Sequence, residues 1–173
     1  MTARASGLRL RAPRAGDRDR VLGVVEATGV FRPEEVAIAL EVFDAAVEHP
    51  GADYHAIGAF DEDNVLVGFT SFGPTPCTVA TWDLYWIAVH PAAHRRGVGR
   101  ALMEAAEQAI ADADGRLVVV ETSSRADYAP TRAFYGALGY AATARIPDFY
   151  APNDDLIAYT KRLVPSRSGR ADG

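Results

Sequence analysis

The chain has 173 residues and is poor in several features, and each shortage excludes a class of protein. It has a single cysteine, Cys77, so no internal disulfide can form, and we expect a reducing, cytoplasmic location. No stretch approaches the roughly 18 consecutive apolar residues of a membrane-spanning helix. The arginines near the start are not followed by the apolar segment of a secretory signal. We therefore expect neither a disulfide scaffold, nor a membrane protein, nor a secreted one.

Lysine and histidine are also scarce. Lysine occurs once, at Lys161, and the net charge of −5 argues against nucleic acid or an anionic membrane as the main partner. The four histidines have no metal-ligand spacing with one another or with Cys77, so we expect no metal. The charge is uneven, because residues 21–63 carry ten acidic residues against one arginine, a net charge of −9.

The hydrophobic periodicity predicts elements in the order β-α-α-β-β-β-α-β-α-β-β, which is typical of a mixed α/β fold around one sheet. The predicted strands cover residues 8–11, 54–60, 65–72, 82–89, 117–121, 140–146 and 156–163. The predicted helices cover residues 17–27, 33–49, 97–112 and 130–138. We expect one domain over residues 1–164 and a flexible tail over 165–173, because the tail is polar.

The most specific local pattern is a strand that ends at Val89, a basic turn with two glycines, and a helix that begins near Gly97. The turn and helix start contain Arg95, Arg96, Gly97, Val98, Gly99 and Arg100. The first N–H groups of a helix have no internal partners, and the helix dipole adds partial positive charge, so this segment can bind a phosphate. A tight turn with solvated arginines explains the same residues without a ligand.

Two nucleotide-binding motifs fail at this segment. The dinucleotide motif G-x-G-x-x-G needs a third glycine at the position of Leu102. The P-loop motif G-x-x-x-x-G-K-[ST] needs a lysine, and no lysine lies near. A phosphate site at this segment would therefore be of another kind.

Two segments together resemble the GNAT superfamily of acetyl-CoA-dependent N-acetyltransferases. The first, Val89-His90-Pro91 followed by His94-Arg95-Arg96-Gly97-Val98-Gly99, is similar to the family's Val-x-Pro and [Q/R]-x-x-G-x-[G/A]. The second, Phe134-Tyr135-Gly136-Ala137-Leu138-Gly139-Tyr140, is similar to its Tyr-x-x-x-Gly-aromatic. The chain has His94 where the family has Gln or Arg, and Tyr128 where it often has Asn. The resemblance covers residues 8–164.

The resemblance implies acetyl transfer from acetyl-CoA to a primary amine by direct attack. The parallel strands 84–89 and 117–121 would splay apart around the pantetheine arm. A backbone N–H near Val89 would bond the thioester carbonyl as negative charge develops on it. The residues implied in binding the cofactor are Ile87, Ala88, Val89, His94, Arg95, Arg96, Gly97, Val98, Gly99, Arg100, Ala101, Tyr128 and Tyr135.

The resemblance also implies catalytic roles. Tyr135 would be the general acid for the leaving thiolate, because a tyrosine with a pKa near 10 is protonated at neutral pH. As an alternative, Tyr135 is a core residue packed beside Phe134. The general base would be Asp83 or Glu121, or else a chain of waters. By strand alternation, Asp83 would share a face with Ile87.

The acceptor would bind between the first two helices and the last strands, where aromatic and acidic groups suit a cationic amine. The candidates are Phe31, Arg32, Tyr85, Asp148 and Tyr150, with Asp154 and Asp155 close in sequence. We expect the acidic stretch 21–63 to wall this side. We expect the acceptor to be a small-molecule amine, with a protein amine left open. A non-catalytic acyl-CoA-binding module is the alternative function, and the resemblance also implies a homodimer.

Overall fold

The computed structural model describes residues 7–164. The strands are β1 (Arg9–Arg11), β2 (His55–Phe60), β3 (Leu66–Pro74), β4 (Thr81–Val89), β5 (Leu117–Ser123), β6 (Ala141–Ala151) and β7 (Asp154–Arg162). The helices are α1 (Arg18–Ala27), α2 (Pro33–Glu48), α3 (Val98–Asp112) and α4 (Ala129–Ala137). The tail predicted over 165–173 lies outside the described residues, and the single domain over 1–164 stays a prediction.

The predicted order of elements is confirmed. The strands form one seven-stranded sheet in the order β1-β2-β3-β4-β5-β7-β6. β4 and β5 run parallel, whereas the other neighbouring strands of residues 7–164 pair in antiparallel fashion. Along the apolar run at the start of β5, Val118 and Val120 are buried on one face, whereas Leu117 and Val119 on the other face are half-buried.

The helices cover the two faces of the sheet and create separate cores. On one face, Met103 and Ile110 of α3 pack with Val118 and Val120 of β5 and with Tyr135 of α4. On the other face, α1 and α2 pack against β2 and β3 through the buried Val21, Phe43, Phe60 and Phe69. These four residues have no exposed surface. Truncating one of the three phenylalanines to alanine would therefore cost about 3–5 kcal/mol of stability.

β4 and β5 separate partway along their length, as the resemblance implied. Thr81–Leu84 pairs with Leu117–Val120, and neither strand pairs with the other beyond that point. The separation coincides with a β-bulge, because Leu84 lies opposite Phe72 and Trp86 lies opposite Ser71. Tyr85 is the extra residue between them. A bulge bends the strand and increases its twist, which turns the rest of β4 away from β5.

Because of the inserted residue, the side chains of β4 after the bulge lie on the faces opposite to those that regular alternation from Asp83 would give them. One prediction is therefore wrong. Leu84 and Ile87 both pack on the α3 and α4 face, although their spacing is odd. Trp86 packs on the α1 and α2 face. Asp83 alternates with Leu84 and therefore lies on the α1 and α2 face, opposite to Ile87. Strict alternation fails here because sequence gives no sign of the inserted residue.

β6 is longer than the strand predicted at 140–146, and it includes residues 148–150, which were expected to form a loop. The register shifts between Ile146 and Ala151, where Asp148 has a φ of 52°. The Asp148 carboxylate accepts the N–H of Asn153 at 2.6 Å, and the Asp155 carboxylate accepts the N–H of Asp148 at 2.9 Å. Asp148 and Asp155 therefore shape the hairpin that returns to β7.

Candidate functional site

A cavity of about 730 Å³ lies where β4 and β5 separate. It is also lined by the loop between α1 and α2, by α4 and by residues of β6 and β7. The predicted site residues that line it are Phe31, Arg32, Asp83, Tyr85, Ile87, Ala88, Val89, His94, Glu121, Tyr128, Tyr135 and Tyr150. The geometry therefore brings together residues from positions 31 to 150 at one place.

The basic turn and the start of α3 lie beyond this lining, next to His94. Arg95 and Gly97 both have left-handed backbones, with φ of 62° and 78°. Gly97 is the N-cap of α3, and the N–H of Ala101 already donates to its carbonyl at 2.9 Å. The backbone N–H groups of Val98, Gly99 and Arg100 consequently have no partner within the helix, whereas that of Ala101 is already used and is not free for a phosphate. Together with three exposed arginines at 95, 96 and 100, these amides suit a pyrophosphate.

The structure assigns specific packing to two residues of this segment. Gly99 lies against Phe134 of α4, since a Cβ at Gly99 would come within 3.2 Å of the Phe134 ring. The glycine therefore allows α3 to lie close to α4. The His94 ring donates from Nε2 to the Val89 carbonyl oxygen at 3.0 Å, which ties the turn to the end of β4.

Tyr135 projects from α4 into the aromatic core and also lines the cavity. It is 4% exposed, and its ring lies 5.8 Å from that of Tyr159 and 6.0 Å from that of Tyr140. Burial, with a smaller effect of the nearby Tyr128, raises the pKa of Tyr135 above its usual value. The phenol is therefore protonated at neutral pH and able to donate a proton.

Glu121 and Asp83 lie on the same face of the sheet and both line the cavity. The pKa of Glu121 is raised, mainly because surrounding protein displaces water from the carboxylate and also because of the negative charge of Asp83. Glu121 nevertheless keeps an exposed side chain, and Asp83 accepts a hydrogen bond from the Thr75 hydroxyl at 2.8 Å. A carboxylate with a raised pKa beside a second carboxylate suits proton transfer.

Aromatic rings line the part of the cavity on the α1 and α2 face. Phe31 meets Trp86 edge to face with ring centroids 5.2 Å apart. Burial and the charges of Glu121, Asp154 and Glu35 raise the pKa of Tyr150 to about 12. Sequence reasoning missed Trp86, because regular alternation placed it on the face away from the site.

Tyr128 connects two segments that line the cavity. Its hydroxyl donates to the carbonyl of Val30, 98 positions away along the chain, at 3.5 Å. Val30 belongs to the loop between α1 and α2, so this contact links the start of α4 to that loop. The guanidinium of Arg125 lies 5.2 Å from the Tyr128 ring centroid. Tyr128 therefore has a structural contact with the loop between α1 and α2, whereas the resemblance implied a cofactor role.

Three carboxylates of the cavity have no salt bridge within the described chain, namely Asp83, Glu121 and Asp154. The two arginines of the lining are already paired, Arg32 with Glu35 and Arg125 with Asp127. Asp154 is 6% exposed and accepts a hydrogen bond from the Ser123 hydroxyl. The cavity consequently has a surplus of negative charge.

The source of that charge differs from the expectation. Of the ten acidic residues in 21–63, Glu35 is the one that lines the cavity. The surplus comes instead from β4, β5 and β7, which are far apart in sequence. Asp148 and Asp155 are also absent from the lining residues, because both are engaged in the β6–β7 hairpin.

Among residues 7–164, no group of three or more His, Cys, Asp or Glu side chains is arranged to hold a metal ion. No helix in that range has the length and apolar character needed to cross a bilayer.

The chain was compared with known proteins. Residues 52–142 match the family model described as the acetyltransferase (GNAT) domain. A solved structure from Desulfovibrio desulfuricans, assigned to the GNAT acetyltransferases, is 40% identical, covers 91% of this chain and 99% of its own, and has a TM-score of 0.86. No curated protein matches the chain.

Two solved structures with lower identity have the same fold. The ribosomal-protein-S18-alanine N-acetyltransferase from Escherichia coli is 19% identical, with a TM-score of 0.72 and coverage of 95% of this chain and 97% of its own. An aminoglycoside 6'-N-acetyltransferase complexed with coenzyme A is 18% identical, with a TM-score of 0.72 and coverage of 92% and 99%. With the family model and the bacterial structure at 40% identity, the comparisons show that this chain belongs to the GNAT family of acetyltransferases.

Proposed function

We propose that the enzyme transfers the acetyl group of acetyl-CoA directly to a cationic primary amine of a small molecule. The observation that carries this proposal is the asymmetry of the cavity between β4 and β5. A buried, protonated tyrosine lies on one face of the sheet, and carboxylates without salt bridges lie on the other. A thioester held between them would have a proton donor on the side of its sulfur and proton acceptors on the side of the amine.

The cofactor would enter along the start of α3. The open amides up to Arg100 and the exposed arginines would hold the pyrophosphate, since helix N-termini favour anions. The edge of β4 from Tyr85 to Val89 has no partner in β5, so its backbone groups are free to pair with the pantetheine amides. An N–H of this edge near Val89 would stabilise the charge that develops on the thioester oxygen.

Tyr135 would act as the general acid. When the amine attacks, the carbon–sulfur bond breaks and sulfur leaves with its electron pair. The Tyr135 phenol, kept protonated by burial, would donate its proton to that sulfur. Holding both substrates in one cavity supplies a further part of the rate acceleration by orientation.

Glu121 would be the general base, with Asp83 beside it. An amine with a pKa near 10 is mostly protonated at neutral pH and must lose a proton before it attacks. Glu121 has a raised pKa and lies on the side of the cavity opposite to Tyr135. The charge of Asp83 makes Glu121 a stronger base, so the two carboxylates would work as a unit.

The rest of the cavity would bind the acceptor. A cationic amine is attracted both to Asp154 and to the faces of Phe31, Trp86 and Tyr150. We infer a small molecule, because the contact of Tyr128 with Val30 joins two segments of the cavity lining and leaves less room for a protein segment. Cytoplasmic location and a homodimer stay predictions.

The test is release of free thiol from acetyl-CoA with a panel of acceptors. The panel contains small monoamines, small diamines, an amino acid, a lysine-containing peptide and a peptide with a free N-terminus. We expect thiol release with small cationic amines above the rate without acceptor. Release with the peptides alone would contradict the small-molecule proposal, and tight CoA binding without release for any amine would contradict the transfer to amines.

A further inference from the structure

Three buried side-chain oxygens have no hydrogen-bond partner within residues 7–164, those of Ser71, Thr122 and Tyr140. Such groups are rare in folded proteins, because a buried hydroxyl without a partner has lost its water and gained nothing. Of the three, Thr122 is the one that lines the cavity between β4 and β5. Its side chain therefore borders the place where the substrates would bind, and in this conformer its hydroxyl oxygen is buried without a partner in the described chain.

Thr122 occupies a specific side of that cavity. It lies on β5 beyond Val120, the last residue paired with β4. Alternation along β5 places its side chain on the same face as Val118 and Val120, which pack in one cluster with Tyr135. Glu121 projects to the opposite face. Thr122 is thus on the side of the general acid and away from the side of the base.

We propose that the Thr122 hydroxyl donates a hydrogen bond to the sulfur of bound CoA, beside Tyr135. The inference rests on the proposed function, which places the thioester carbonyl on the backbone of β4 and the amine on the side of Glu121. Of the reacting groups, the sulfur then lies on the face that Thr122 shares with Tyr135. Rotation about χ1 exchanges the hydroxyl and methyl positions of a threonine, so the donor can turn toward the ligand.

The role in the reaction follows from the bonds that change. The nitrogen–carbon bond forms, the carbon–sulfur bond breaks, and sulfur takes the electron pair. The proton that sulfur gains comes from Tyr135, while Thr122 keeps its own proton and shares it through the hydrogen bond. Hydrogen bonds to charged acceptors are stronger than those to neutral ones, so the contact favours the departing thiolate over the thioester.

The test uses CoA and desulfo-CoA, in which hydrogen replaces the thiol, and measures both dissociation constants by calorimetry at pH 7 and pH 9. We expect the wild-type protein to prefer CoA, more so at pH 9, where more of the thiol is ionised. Thr122→Val keeps the shape and removes the donor, and it should reduce the preference at pH 9 about tenfold. An unchanged preference in this variant would overturn the inference while leaving the proposed function intact. A wild-type protein that binds neither compound would overturn both.

Matched variants separate the contact from effects on folding. Ser71→Ala removes another buried hydroxyl without a partner in the described chain, but outside the cavity lining, and should leave the preference for CoA unchanged. Thr122→Ser keeps a hydroxyl and should retain most of the preference. If Thr122→Val does not fold, Thr122→Ala takes its place against Thr122→Ser. Loss of the preference in Ser71→Ala as well would also contradict the inference.

Discussion

The two sides of the cavity differ in the kind of group that they present. The side of α3 and α4 offers backbone amides, exposed arginines and buried hydroxyls, so it suits an anionic cofactor and a departing thiolate. The side of α1 and α2 offers carboxylates and aromatic rings, so it suits a cationic amine. The strands β4 and β5 keep the two sides apart until they separate. Under the proposed function, each substrate would have its own face of the sheet, and the two would meet where β4 and β5 separate.

The largest effect should come from removing the acid. Tyr135→Phe should lower kcat at least about 100-fold, because general acids contribute that much, while the dissociation constant for CoA changes little. Steady-state rates and calorimetry measure the two quantities. Tyr159→Phe is the matched control, since its ring lies 5.8 Å from that of Tyr135 but outside the cavity lining. An unchanged rate in Tyr135→Phe would exclude Tyr135 as the general acid.

The second test addresses the opposite side. Glu121 must be deprotonated to accept a proton, so the rate of the wild-type protein should fall as pH drops through its raised pKa. Glu121→Gln should lower kcat/KM about 100-fold and abolish that acidic limb of the pH profile. A variant that keeps both the rate and the limb would exclude Glu121 as the base and favour a chain of waters.

The two sides also differ in how far sequence could predict them. The cofactor side depends on one continuous segment from Val89 to Arg100, in which glycine spacing and helix start are visible in the sequence. The Tyr135 motif is equally local. These features follow from backbone geometry, which a short motif encodes.

The acceptor side was predicted less well, because it depends on long-range packing. The bulge at Tyr85 moved Asp83 and Trp86 relative to regular alternation. Asp154 reaches the cavity because β7 pairs with β5, a neighbour relation that no local pattern shows. Asp148 was misplaced for the converse reason, since its carboxylate is used within its own hairpin.

A smaller effect should separate cofactor binding from catalysis. Gly97 has a φ of 78°, which costs a residue with a Cβ roughly 1–2 kcal/mol. Gly97→Ala should therefore weaken CoA binding about tenfold through distortion of the helix start and leave KM for the amine unchanged. Gly23→Ala is the control, because a Cβ there meets nothing within 4 Å and α1 should gain about 0.5–1 kcal/mol. Calorimetry measures the affinity for CoA, and thermal denaturation measures the stability of each protein. Equal CoA affinity in the wild type and both variants would show that this segment does not bind the cofactor.

The smallest effect concerns the coupling within the acidic pair. The charge of Asp83 contributes to the raised pKa of Glu121, so Asp83→Asn should lower that pKa and move the acidic limb of the rate profile to lower pH. Asp53→Asn is a matched control. Asp53 and Asp83 both raise the pKa of Tyr85, but of the two it is Asp83 that raises the pKa of Glu121, so Asp53→Asn should leave the limb in place. Loss of the limb together with a rate about 100-fold lower would assign the proton transfer to Asp83 itself. Either result keeps the base on the α1 and α2 face, because Asp83 and Glu121 share it. A variant with neither change would show that Asp83 neither sets the pKa of Glu121 nor transfers the proton, and Glu121→Gln would then decide between Glu121 and water.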